Sequence, residues 1–160
     1  MSSFTYQSDS EADTAALGAA LAALLPDGAT VSLCGTLGSG KTRLVQATAE
    51  AAGIDRRQVQ SPTFVLIQEY EGDRRIYHFD AYRIHSDQEF LNLGPEEYFE
   101  GDGLSLVEWG DRVADCLPEQ RIEITLEVTG ECSRQIEIRA IGARFEPVIE
   151  QLRAWAAPGC

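Results

Sequence analysis

The fold of this chain is decided by residues 30–53, which read TVSLCGTLGSGKTRLVQATAEAAG. The stretch opens with a short β-prone run, Thr30–Cys34, which stops at Gly35 as a buried parallel strand does before a tight turn. A glycine-rich loop follows, and a helical pattern then runs from Thr42 to Ala52 and closes at Gly53. Strand, glycine loop and helix in this order are the context that a phosphate-binding loop requires.

The loop matches the phosphate-loop (Walker A) pattern and reads Gly35-Thr36-Leu37-Gly38-Ser39-Gly40-Lys41-Thr42. Its glycines lack a Cβ atom, so the backbone can curl with its N–H groups pointing inward towards a phosphate. The helix that starts near Lys41 adds unsatisfied donors and the positive end of its dipole. We expect Lys41 to bridge the β- and γ-phosphates of a nucleotide and the Thr42 hydroxyl to ligate Mg²⁺. The predicted nucleotide-binding set also includes Gly38, Ser39, Gly40 and Arg43.

Lys41 is the only lysine in the chain, beside twelve arginines. The loop position needs a compact ammonium between phosphate oxygens, whereas a guanidinium is planar and bulky. Guanine selection in most GTPases uses an Asn/Thr-Lys-x-Asp tetrapeptide, and no second lysine is present to form one. The sequence therefore argues against a conventional GTPase and favours ATP.

Length and charge limit the remaining possibilities. The chain has 160 residues, of which 44% are hydrophobic, so we expect one domain spanning residues 1–160. A formal net charge of −13 repels a phosphate backbone, so any link to RNA or DNA should run through a partner protein. The sequence contains neither a long apolar run nor a signal-peptide pattern, and we expect a cytoplasmic protein without membrane contact.

The patterns on either side of the loop complete the predicted architecture. Helices are predicted over Glu11–Leu25, Asp87–Leu93 and Phe145–Ala156. Strand-like runs are predicted to form two hairpins, Phe64–Tyr70 with Arg75–Arg83 and Arg121–Val128 with Arg134–Ile141. A further apolar strand, Leu104–Val107, follows an acidic loop over residues 98–103. We therefore expect an α/β protein with the P-loop NTPase fold: a mixed, mainly parallel central sheet with antiparallel hairpins and helices on both faces.

Two acids follow strand-like runs and are candidates for the metal site. A nucleotide-bound Mg²⁺ is held by an acid at the end of an apolar strand beside the loop strand. Glu108 ends the apolar run Leu104–Val107, and we assign it to the metal. Asp80 ends a run that alternates like a half-exposed hairpin strand, and we assign it to water orientation or a second metal contact. For each, the alternative is a solvated acid at a strand end.

Three other residues allow two interpretations each. Thr63 either presents its hydroxyl to the γ-phosphate, as in nucleotide switches, or only sets the start of a strand. His78 is expected to pack on a sheet face rather than to act as a base. Trp109 either fills the core or presents its ring to a ligand or partner, and we prefer the second interpretation.

Three motifs follow the phosphate loop in order: Ser61-Pro62-Thr63-Phe64, Tyr77-His78-Phe79-Asp80-Ala81-Tyr82-Arg83 and Val107-Glu108-Trp109-Gly110. With the loop they closely resemble the TsaE (formerly YjeE) family of bacterial P-loop ATPases, from around Glu11 through Trp109. The carboxy-terminal third is similar only in its strand pattern. The family's loop commonly reads Gly-Asp-Leu-Gly-Ala-Gly-Lys-Thr, so Thr36 and Ser39 depart from it. The loss of an acid at position 36 is expected to alter hydrolysis or the metal network without abolishing binding.

The resemblance implies a role in the threonylcarbamoyladenosine modification of tRNA. The family binds the complex of the transferase TsaD with its partner TsaB, and its ATPase activity is expected to reset that complex, so tRNA is a partner only indirectly. The resemblance implies that Lys41 and Thr42 hold phosphate and Mg²⁺, and that Asp80 and Glu108 are metal or catalytic positions. It assigns the nucleotide-binding positions Glu11 near the adenine, Thr63 in a switch-like segment, Trp109 after the acid, and Arg134 in the second hairpin.

Two other functions share these features. A small-molecule kinase has the same loop and Mg²⁺ but normally adds a lid with several arginines, for which Arg56-Arg57 and Arg74-Arg75 are the only paired candidates. A non-catalytic ATP-binding assembly module would keep the bound state, and its hydrolysis would be incidental. Slow turnover that no partner changes would favour the module, and ADP release that depends on an acceptor would favour the kinase.

Overall fold

The protein is built on one seven-stranded sheet, and the computed structural model describes residues 2–60 and 66–157. The strands are β1 (Ser3–Ser8), β2 (Thr30–Gly35), β3 (Ile67–Tyr70), β4 (Ile76–Asp80), β5 (Leu104–Glu108), β6 (Arg121–Val128) and β7 (Arg134–Ile141). The helices are α1 (Glu11–Leu24), α2 (Lys41–Ala51), α3 (Asp87–Leu91), α4 (Pro95–Phe99) and α5 (Glu146–Ala156), with 3₁₀ segments at Arg56–Gln58 and Gly110–Cys116.

The strand order is β1-β7-β6-β2-β5-β4-β3. The four central strands, β6, β2, β5 and β4, are parallel, and antiparallel pairs close both edges. This arrangement confirms the predicted mixed sheet and both predicted hairpins. Because parallel strands end at the same edge, the phosphate loop after β2 lies beside the carboxyl ends of β4 and β5. Ligands of open α/β sheets bind at such an edge.

Helical segments cover both faces of the sheet, as predicted. On one face, Leu33 of β2 and Ile124 of β6 share a buried cluster with Leu17 of α1. On the other face, Phe79 of β4 and Val107 of β5 pack in a second cluster with residues of α3 and of the 3₁₀ segment Gly110–Cys116. No helix in the described ranges is long and apolar enough to cross a membrane.

Helix α1 is fixed at its start and along one side. The Ser10 hydroxyl caps it by accepting a hydrogen bond from the backbone N–H of Asp13 at 3.1 Å. Gly18 lies where a Cβ atom would come within 2.5 Å of the Ala47 Cβ of α2, so the missing side chain permits close helix contact. This contact holds the middle of α1 against the phosphate-loop helix.

The interpretation of β4 as a half-exposed hairpin strand is wrong. All five of its residues are buried, and it pairs in parallel with β5 as well as antiparallel with β3. Its alternation misleads because the polar members, His78 and Asp80, face other buried polar groups rather than solvent. Asp80 therefore ends a buried strand, as Glu108 does.

Other differences from the predicted elements lie away from the central strands. Strand β1 was not predicted, although its alternate residues, including Ser3 and Thr5, are exposed at the sheet edge as in a half-buried strand. Helix α4 occupies Pro95–Phe99, whereas an acidic loop was predicted from residue 98. Its Pro at the first helical position is compatible with a helix start.

Candidate nucleotide-binding site

The phosphate loop adopts a backbone that only glycine accommodates easily. Gly35, Gly38 and Gly40 have positive φ angles of 146°, 81° and 106°. A Cβ atom at Gly35 would also lie 2.6 Å from both the Leu126 carbonyl oxygen and the Ser39 Oγ. The loop glycines are therefore required by conformation and, at Gly35, by space.

Lys41 points back into its own loop. Its Nζ donates to the carbonyl oxygens of Gly35 at 2.7 Å and Thr36 at 2.9 Å. The Trp109 ring lies over the same ammonium, with its centroid 3.9 Å from Nζ. Burial lowers the pKa of Lys41, and the nearby carboxylate of Glu108 partly opposes that shift. The loop thus holds a desolvated cation beneath an aromatic ring.

Thr42, Glu108 and Asp80 converge at the carboxyl ends of β4 and β5. The Thr42 Oγ1 donates to Glu108 Oε1 at 2.8 Å, with Oε2 at 3.0 Å. Asp80 and Glu108 are paired in register across the two parallel strands. The Asp80 Oδ1 accepts a hydrogen bond from the backbone N–H of Tyr82 at 2.8 Å. The two acids assigned from sequence therefore lie side by side next to the loop hydroxyl.

A cavity of about 400 Å³ opens over these groups, and we call it the phosphate cavity. Its lining consists of Leu37, Gly38, Gly40, Lys41, Thr42, Arg43, Asp80, Tyr82, Glu108 and Trp109. Thr42, Asp80 and Glu108 would supply only oxygen ligands, which is the donor chemistry that Mg²⁺ prefers. Within the described part of the chain, no three His, Cys, Asp or Glu side chains cluster as ligands of one metal ion.

A second cavity, of about 390 Å³, lies between α1 and the β6–β7 hairpin, and we call it the helix–hairpin cavity. Its lining consists of Ser10, Glu11, Thr14, Ser39, Gly40, Arg43, Leu126, Glu131, Cys132 and Arg134. The structure therefore brings the predicted residues Glu11 and Arg134 to the same cavity. Gly40 and Arg43 line both cavities, so the two volumes meet at the phosphate loop.

The two arginines of the helix–hairpin cavity differ in their partners. Arg134 Nε donates to the Ser39 carbonyl oxygen at 2.9 Å, and its Nη1 donates to the Ser133 carbonyl oxygen at 2.8 Å. Arg134 thus joins the hairpin to the loop. Arg43 Nε and Nη1 are buried and make no hydrogen bond to any described residue. Arg43 therefore lies between the two cavities with two hydrogen-bond donors that no described residue accepts.

His78 and Tyr82 are site residues that sequence reasoning missed. His78 is fully buried, as expected, but its Nε2 lies 2.5 Å from Glu108 Oε2. Tyr82 lines the phosphate cavity and stacks on Trp109 with ring centroids 4.9 Å apart. The i, i+2 spacing of His78 and Asp80 placed both on one strand face, and that spacing is the signal that could have identified His78.

Some predicted positions lie elsewhere. Thr63, with the rest of Ser61-Pro62-Thr63-Phe64, falls outside the described residues. The arginine pairs considered for a kinase lid line neither cavity. Arg57 pairs with Asp55 at 2.8 Å, and Arg74 donates to the Ala22 carbonyl oxygen at 2.7 Å, so both are engaged on their own surface.

The geometry agrees with the comparison to known proteins. The family model described as "Threonylcarbamoyl adenosine biosynthesis protein TsaE" matches residues 8–136. The chain belongs to the TsaE family. A tRNA threonylcarbamoyladenosine biosynthesis protein TsaE from Bacillus subtilis is 40% identical over 141 residues, which cover 88% of this chain and 87% of that protein. The Treponema pallidum protein of the same name is 40% identical over 131 residues, covering 82% of this chain and 96% of its own.

A solved structure supports the same TsaE assignment. The crystal structure of Bacillus subtilis YdiB superposes with a TM-score of 0.80 at 30% sequence identity, covering 96% of each chain. The predicted family and fold are therefore confirmed. The match extends beyond Trp109, so the carboxy-terminal hairpin and α5 belong to the shared TsaE fold.

Proposed function

We propose that this protein binds ATP with Mg²⁺ and hydrolyses it in tRNA threonylcarbamoyladenosine biosynthesis, acting on the TsaB–TsaD complex. The observation that carries the proposal is the convergence of Lys41 and Thr42 with Asp80 and Glu108 in one cavity. The names of the family and of its relatives support the pathway.

The loop would bind the phosphates through its inward N–H groups and through Lys41. The Lys41 ammonium now bonds to the carbonyl oxygens of Gly35 and Thr36, and it would exchange them for phosphate oxygens. Its burial favours this exchange because a buried cation gains more from an anion than from neutral carbonyls.

Thr42 and Glu108 would hold the metal, and their present hydrogen bond places both oxygens at the same point of the cavity. Bound Mg²⁺ would neutralise negative charge on the β- and γ-phosphates. Asp80, in register with Glu108, would orient the attacking water or contribute a further metal contact. Trp109 and Tyr82 would cover the phosphates and limit access of bulk water.

The helix–hairpin cavity would take the nucleoside. The Glu11 carboxylate only accepts hydrogen bonds, and the exocyclic amine of adenine donates them. The buried Arg43 donors would gain a phosphate oxygen, because burying an unpaired cation is costly. A nucleotide spanning both cavities would therefore satisfy groups that the protein leaves unpaired.

The charge of the chain bears on its partners. A net charge of −13 disfavours direct binding to tRNA or DNA. A factor that acts on the TsaB–TsaD complex does not need to bind tRNA directly. We therefore propose contact with tRNA only through the complex.

The test is the rate of phosphate release from ATP with Mg²⁺, for the protein alone and mixed with TsaB and TsaD from its own organism. We expect slow turnover alone, stimulation by the pair, and loss of both in Lys41→Ala and on chelation of Mg²⁺. Nucleotide binding without stimulation or complex formation would overturn the partner assignment and return the kinase and the assembly module to consideration.

A further inference from the structure

We propose that His78 is a positioning residue that fixes the carboxylate of Glu108 in the phosphate cavity. The inference rests on the proposed function, because it names a further residue needed by the same site. His78 lies at the middle of β4, which β5 separates from the loop strand β2, and it lines neither cavity. Its action would therefore run entirely through Glu108.

The contact between the two side chains is short and enclosed. His78 Nε2 lies 2.5 Å from Glu108 Oε2, and the two side chains are 0% and 3% exposed. A buried carboxylate must be compensated by donors, since water does not solvate it. Among the described side chains, Thr42 and His78 are the hydrogen-bond partners of this carboxylate.

Nucleotide binding should affect the two hydrogen bonds to Glu108 differently. The Thr42 hydroxyl now bonds to Glu108, but the proposed function assigns that hydroxyl to the metal. His78 has no such second task, so its hydrogen bond persists and holds Oε2. The other oxygen, Oε1, then stays turned towards Thr42, where the metal is proposed to lie.

The imidazole is itself held from its other side. The Tyr70 hydroxyl lies 3.2 Å from His78 Nδ1. Because the Glu108 carboxylate can only accept, His78 Nε2 carries a proton and donates to it. Burial raises the pKa of Tyr70, so its hydroxyl stays protonated. A buried chain therefore runs from Tyr70 through His78 to Glu108 and Thr42.

Two amide variants distinguish the hydrogen bonds made by the two ring nitrogens of His78. In His78→Gln the amide nitrogen reaches the place of Nε2 and can still donate to Glu108. In His78→Asn the amide reaches only the place of Nδ1, so it keeps Tyr70 and loses Glu108. Tyr70→Phe is the matched control, because it removes the hydrogen bond on the opposite side of the same imidazole.

The readouts are the kcat and KM of ATP hydrolysis, the affinity for Mn²⁺ in the presence of ADP followed by electron paramagnetic resonance, and the Tm. We expect His78→Asn to weaken Mn²⁺ binding and lower kcat by about 10-fold, a typical effect of losing a partner of a metal ligand. His78→Gln should stay within about 3-fold of the unchanged protein, and Tyr70→Phe should lose less than His78→Asn because it keeps the contact with Glu108. In a Glu108→Ala background, which removes the acceptor of the His78 hydrogen bond, His78→Asn should have no further effect on Mn²⁺ affinity.

Two results would overturn the inference alone. One is an equal kcat and Mn²⁺ affinity in His78→Asn and His78→Gln. This holds whether both variants stay active or both lose activity with a lowered Tm. The other is an undiminished effect of His78→Asn in the Glu108→Ala background, which would show that His78 does not act through Glu108. Unchanged protein that binds no Mn²⁺ with ADP would instead overturn the proposed function, and this inference with it.

Discussion

Two cavities of similar volume, about 400 and 390 Å³, meet at the phosphate loop but are built differently. The phosphate cavity rests on the ends of two buried parallel strands, and Asp80 and Glu108 on its floor make hydrogen bonds within the protein. The helix–hairpin cavity is formed by a helix start and a hairpin turn, and its acids Glu11 and Glu131 are exposed. Rigid, buried groups suit chemistry, whereas exposed ones suit adjustable binding.

Because the two cavities are built differently, we expect substitutions in one to change mainly kcat and substitutions in the other to change mainly KM. Changes of the two acids in the phosphate cavity should lower kcat with little effect on ATP affinity, and changes in the helix–hairpin cavity should raise KM and leave kcat nearly unchanged.

The largest effect is expected at Glu108. Glu108→Gln keeps the size of the side chain but removes its charge, so kcat should fall by about 100-fold while ATP affinity changes by less than about 3-fold. Steady-state ATPase assays and equilibrium nucleotide binding measure the two quantities. Glu127→Gln is the matched control, since Glu127 is exposed and lines neither cavity. Unchanged kcat in Glu108→Gln would remove this residue from the site.

A smaller loss is expected at Asp80. Asp80→Asn keeps an oxygen that accepts from the Tyr82 N–H, so the turn after β4 should persist while the charge is lost. We expect kcat to fall by about 10-fold with ATP affinity retained. The exposed residue Asp102 provides the control variant Asp102→Asn. A larger loss than in Glu108→Gln would reverse the roles assigned to the two acids.

Arg43 tests the boundary between the cavities. Arg43→Met keeps the aliphatic stem but removes the buried donors, so KM for ATP should rise by about 10-fold with kcat within about 3-fold. The control is Arg57→Met, because Arg57 is exposed and lines neither cavity. A fall in kcat at unchanged KM would place Arg43 with the chemistry rather than with binding.

Arg134 should give the smallest effect. Arg134→Gln loses the hydrogen bonds that join the hairpin to the loop carbonyl oxygens of Ser39 and Gly38, so the loop should be held less firmly. We expect a rise in KM of about 3-fold and a loss of about 1 kcal/mol in the free energy of unfolding. Urea denaturation measures the second quantity, with Arg139→Gln as the control. A larger loss of affinity than in Arg43→Met would indicate direct contact with the nucleotide.

Local patterns predicted much of this fold. The strand, loop and helix at residues 30–53 and the second hairpin follow from turn residues and from periodicity, which are local properties. The bounds of β6 and β7 agree with their prediction residue for residue. Local motifs also predicted Lys41, Thr42 and Glu108 as site residues, and the structure places all three in one cavity.

The features that the sequence did not predict depend on pairing between strands that are distant in the chain. The burial of β4 follows from its insertion beside β5, which no local pattern of Ile76–Asp80 reveals. The same pairing brings His78 to Glu108, thirty residues further along the chain. His78 was therefore expected only to pack, and the cavity between α1 and the second hairpin was implied by resemblance rather than by spacing.

Calorimetric titration of ATP with Mg²⁺ into the unchanged protein and into Lys41→Ala tests most directly whether the phosphate loop binds ATP. We expect saturable binding of one ATP per chain, weakened by about 10- to 100-fold in Lys41→Ala at an unchanged Tm. Equal affinity in the two proteins, or no binding to the unchanged protein, would contradict this expectation.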